Sequence, residues 1–86
     1  MTKSDFENLI KGLSVDEMIE MMPKEINWKK LILSHRQDDE DEEIYYYAYY
    51  WAETVKASSP DEVLTCKIML LWLFDNNLLP EYKQDV

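Results

Sequence analysis

A single glycine, Gly12, and three prolines, Pro23, Pro60 and Pro80, are the only strong breakers in 86 residues. Asn-Gly and Gly-rich turns, which give tight hairpins their positive φ, are therefore absent, and the remaining punctuation reads as helix ends. One cysteine, Cys66, excludes an intramolecular disulfide, and a reducing, cytoplasmic location is expected. One histidine, His35, leaves any Cys-His or Ser-His-acid arrangement without a local motif, and one glycine cannot form a phosphate loop. The longest apolar run, Ile68 to Phe74, falls far short of the roughly 20 residues that cross a bilayer. Near the start of the chain Asp5 and Glu7 stand where a secretory leader would be apolar. No catalytic residues, cofactor or membrane contact are expected.

Basic residues are scarce too. Nine Lys and Arg face 18 Asp and Glu, for a formal charge of −9. Such a field repels nucleic-acid phosphates and anionic head groups and attracts basic proteins, so direct nucleic-acid binding is disfavoured.

What is present is helix-start chemistry. Ser4/Glu7, Ser14/Glu17 and Ser59/Glu62 each have the spacing of a capping box, in which hydroxyl and carboxylate satisfy two free amides at a helix start. Phe6, Leu9, Ile10 and Leu13 then form one stripe of a helix over about residues 5 to 12, and Val15, Met18, Ile19 and Met22 form a second that ends before Pro23. Pro23 suits the first position of a third helix, with Trp28, Leu31, Ile32 and His35 on one face, running to about Arg36. A fourth helix is expected from Ile44 to about Lys56. Its Tyr-rich run has strand propensity but no apolar/polar alternation, and a lone strand would lack a partner. A fifth helix from Pro60 to Asn76 is apolar on every face and so belongs at the centre, closed by Asn76 or Asn77 and Pro80. Residues 81–86 read as a frayed tail. The expected architecture is all-α: one domain, a compact bundle of about five helices, the first two short, around an apolar C-terminal helix.

Between Gln37 and Ile44 lie six consecutive acids, Asp38, Asp39, Glu40, Asp41, Glu42 and Glu43, whose repulsion favours a solvated linker over residues 37–43. A calcium loop would need alternate ligands, a turn glycine and a distant Glu, so no metal site is assigned. On the expected fourth helix Ile44, Tyr47, Ala48, Trp51 and Val55 face inward, leaving Tyr45, Tyr46, Tyr49 and Tyr50 for an outer face. Met18, Met22 and Met69 fit core filling, whereas Met21 lies off its stripe and is expected near that aromatic face.

These features favour a non-catalytic interaction module that holds a protein partner, in particular a basic one, or a second copy of itself. The expected contacts are Tyr45, Tyr46, Tyr49, Tyr50 and the acids Asp38 to Glu43. The alternative is an acidic nucleic-acid mimic that blocks the basic groove of a nucleic-acid-binding protein.

Overall fold

The computed structural model, which describes residues 1–37, 44–51 and 55–84, has three helices and a four-stranded antiparallel sheet. The fold is α/β, and the expected five-helix bundle is corrected accordingly. Helix α1, Lys3–Ile10, starts at Thr2 rather than Ser4: the Thr2 Oγ1 accepts from the Asp5 amide at 3.1 Å, and Asp5 Oδ2 accepts from the Thr2 amide. Helix α2, Val15–Met21, uses the anticipated box: Ser14 Oγ accepts from the Glu17 amide at 3.2 Å and Glu17 Oε1 accepts from the Ser14 amide at 3.1 Å. It stops at Met22, whose extended backbone is what the residue before a proline prefers.

The expected third and fourth helices are strands. Strand β1, Glu25–Ile26, turns through Asn27 and Trp28 into β2, Lys29–Gln37, and β3, Ile44–Tyr50, and β4, Ala57–Ser59, complete the order β1-β2-β3-β4. Asn27 and Trp28 have φ of 49° and 65°, the positive pair that a two-residue hairpin needs. No glycine is present, and the turn forces a tryptophan into a conformation that bulky residues avoid. The Tyr-rich run finds its partner in β2, the segment that helical spacing had claimed, along a seven-residue register from Leu31↔Tyr50 to Gln37↔Ile44. Alternation was invisible in β3 because tyrosine occupies both faces.

Helix α3, Glu62–Asp75, is the central apolar element expected, capped by Asp61, whose Oδ1 accepts from the Val63 amide at 3.0 Å. Ser59 is not its cap. Its hydroxyl turns inward, 2.8 Å from Thr65 Oγ1, and donates to the Asp61 carbonyl, tying β4 to the first turn of α3. One side of α3 packs on β3 and β4 and the other on α1 and α2, which is why no polar face is tolerated. The core joins Phe6 and Ile10, Met18 and Met22, Ala48 and Tyr50 with Cys66, Met69, Leu70, Leu73 and Phe74. Phe6 stacks on Phe74 with ring centroids 4.5 Å apart. Asn77, at φ 55°, takes the left-handed position anticipated after α3. Beyond it Leu79 is buried, Tyr82 packs edgewise on Phe6, and Gln84 Nε2 donates to the Phe74 carbonyl at 2.9 Å.

Candidate functional site

Residues directly opposed in an antiparallel pair share a face. Leu31/Tyr50, Leu33/Ala48 and His35/Tyr46 lie on the side of α3, and Ile32/Tyr49, Ser34/Tyr47 and Arg36/Tyr45 lie on the other. That outer face carries Tyr45, Tyr47 and Tyr49, continued by Trp51, and no helix packs on it among the described residues. Trp51 is 54% exposed and Trp28, at the hairpin tip, 66%. Their rings meet edge to face with centroids 5.7 Å apart. With Lys30, Leu31 and Ile32 they line an open concavity of about 490 Å³. Lys29 sets its ammonium 5.9 Å from the Trp28 ring centroid.

The face differs electrically from the rest of the chain. Its described strand residues include the cations Lys30 and Arg36 against one acid, Glu25, opposite Lys30. On a chain of charge −9, this is a relatively acid-poor surface built from rigid rings with polar tips, the composition enriched at protein interfaces.

Of the residues singled out in the sequence, Tyr45 and Tyr49 lie on this face. Tyr46 and Tyr50 point to the helical layer. Tyr50 is buried, its hydroxyl donates to the Pro23 carbonyl at 2.7 Å, and burial pushes its phenol up to about 12. The Tyr46 ring lies beside His35 with centroids 6.2 Å apart. Asp38 to Glu43 lie outside the described residues. Helical spacing assigned Tyr47 and Trp51 to the core and gave Trp28 no outward role. The i, i+2, i+4 series Tyr47, Tyr49, Trp51 was the signal that would have found the face.

The lone histidine and lone thiol come closer than the sequence suggested. His35 and Cys66 line one small cavity of about 100 Å³ with Glu62, Thr65 and Tyr46. Burial, and then the charge of Glu62, push the Cys66 thiol up, away from the thiolate that a nucleophile or metal ligand requires. Among the described residues no group of three or more His, Cys, Asp or Glu side chains gathers to hold a metal, and no helix is long and apolar enough to cross a membrane. No family model, curated protein or solved structure matches the chain.

Proposed function

We propose that this protein is a non-catalytic interaction module that holds a protein partner, or a second copy of itself, on the open sheet face of Tyr45, Tyr47, Tyr49, Trp51 and Trp28. The observation that carries the reading is Trp28. A tryptophan 66% exposed at a turn position where glycine would be unstrained contributes little to the core, and such outliers concentrate where function maintains them. The acids Asp38 to Glu43, which connect β2 to β3 in sequence, would accelerate association with a partner that carries basic residues beside its apolar patch. The free, buried Cys66 supports a cytoplasmic location as part of the same reading.

Two variants test it. Trp28→Gly relieves the positive φ, and Tyr49→Ser changes a half-buried surface ring, so both are expected to keep the wild-type melting temperature within about 5 °C. Light scattering across protein concentrations, and affinity for any captured partner, should show the contact weakened in both variants yet persisting in about 0.5 M salt. Contacts that survive both substitutions unchanged would end the proposal. A contact that collapses in salt and ignores Trp28→Gly would point instead to the nucleic-acid mimic, which needs only acids.

A further inference from the structure

On the helical layer, away from the sheet face, a second surface is open. Between α1, α2 and the segment after α3 runs a groove of about 500 Å³. Leu9, Leu13 and Met21 supply apolar wall, and Glu17, Glu20 and Glu81 stand among the same lining residues. Among the described residues no Lys or Arg lines it. Leu9 is 42% exposed and all three glutamates are exposed, so the groove presents apolar surface framed by one sign of charge. Met21, which helical spacing set off the α2 stripe, belongs to this groove rather than to the aromatic face. Its unbranched thioether adapts to varied apolar shapes.

We infer that this groove docks a basic amphipathic helix, apolar anchors on Leu9, Leu13 and Met21 and Lys or Arg side chains against Glu17, Glu20 and Glu81. Charge complementarity selects that occupant. An apolar stripe alone would accept any amphipathic helix, but the exposed carboxylates of Glu20, Glu81 and Glu17, the last also accepting from the Ser14 amide, reject one flanked by acids and favour one flanked by bases. The groove is open to solvent on one side, as a site that receives one apolar face of a helix must be. It shares no residue with the aromatic sheet face, so the two readings stand or fall separately.

The test uses the full chain and two synthetic amphipathic peptides of about four helical turns, with one apolar face flanked by Lys in the first and by Glu in the second. The Lys-flanked peptide should shift the resonances of Leu9, Leu13 and Met21 and bind, while the Glu-flanked peptide should not. Glu17→Gln with Glu20→Gln and Glu81→Gln should weaken binding about tenfold, because three exposed charge pairs each contribute modestly. Gln at position 17 preserves the cap, since a glutamine side chain also accepts from the Ser14 amide. Tyr49→Ser should leave this affinity unchanged. No binding of the Lys-flanked peptide, shifts centred on the sheet face, equal binding of the Glu-flanked peptide, or indifference to the triple substitution would each overturn the inference.

Discussion

Replacing Tyr50 by Phe removes one hydroxyl from a ring that is 2% exposed and leaves everything else in place. The Pro23 carbonyl, which accepts from that hydroxyl at 2.7 Å, then loses its partner at a part-buried site. The expected cost at neutral pH is about 1–2 kcal/mol, the usual penalty for an acceptor left unpaired. For a domain of this size each kcal/mol lowers the melting temperature by about 4–8 °C. The pH dependence is the sharper check. Burial raises the phenol of folded Tyr50 to about 12, while the unfolded chain ionises near its ordinary value of 10.0. The folded state therefore holds its proton longer, and the stability due to Tyr50 is complete below about pH 10 and declines as pH rises toward about 12. Phe has no proton to lose, so the gap between wild type and variant should narrow above pH 10. At about pH 11 the narrowing is on the order of 1 kcal/mol, allowing for solvent screening at a part-buried hydroxyl. Urea unfolding followed by tryptophan fluorescence, at several pH values from about 8 to 11, reads both quantities. A variant as stable as wild type at about pH 8, or a gap that does not change with pH, would refute the reasoning.

Phe6→Ala opens a hole where Phe6 stacks on Phe74 at 4.5 Å and should cost about 3–5 kcal/mol, a large share of a small domain's stability. Denaturant unfolding that shows a loss below about 1 kcal/mol would contradict that packing. Hydrogen bonds from the backbone amide and then the hydroxyl of Ser14 hold the Glu17 carboxyl below the usual carboxylate range. A depressed carboxyl stabilises the fold above its unfolded pKa, and that contribution disappears as pH falls through the folded value. Ser14→Ala keeps the amide but removes the hydroxyl, so a carboxyl NMR titration should show Glu17 moving part of the way back up; no movement would refute the cap's role.

The three helices were legible because their signals are local. The Ser14/Glu17 box and the all-round apolar Ile68 to Phe74 run carry their meaning within a turn or two of chain. The sheet was not legible, for a different reason. Leu31, Ile32 and Leu33 are consecutive apolar residues that satisfy a helical stripe or a strand equally well, and only pairing with β3, across residues 38–43, decides between them. In β3 the aromatic content favoured a strand, but Tyr on both faces erased the alternation that would have confirmed it. The hairpin turn was concealed by its residues, since Asn27-Trp28 performs the work that Asn-Gly usually does. The candidate site inherited the same error: with the right period, the outward set becomes Tyr45, Tyr47, Tyr49 and Trp51, and only Tyr45 and Tyr49 survive from the helical set.

The position of α3 in the chain bears on how the protein is made. Both layers meet on this helix, yet it is synthesised after all four strands and after α1 and α2. Until α3 leaves the ribosome, seconds later at ordinary elongation rates, the leucine-bearing β2 and the tyrosine-rich β3 lack the helix that covers their inner face. Like charge in the six acids between those strands in sequence would hold neighbouring nascent chains apart until α3 arrives.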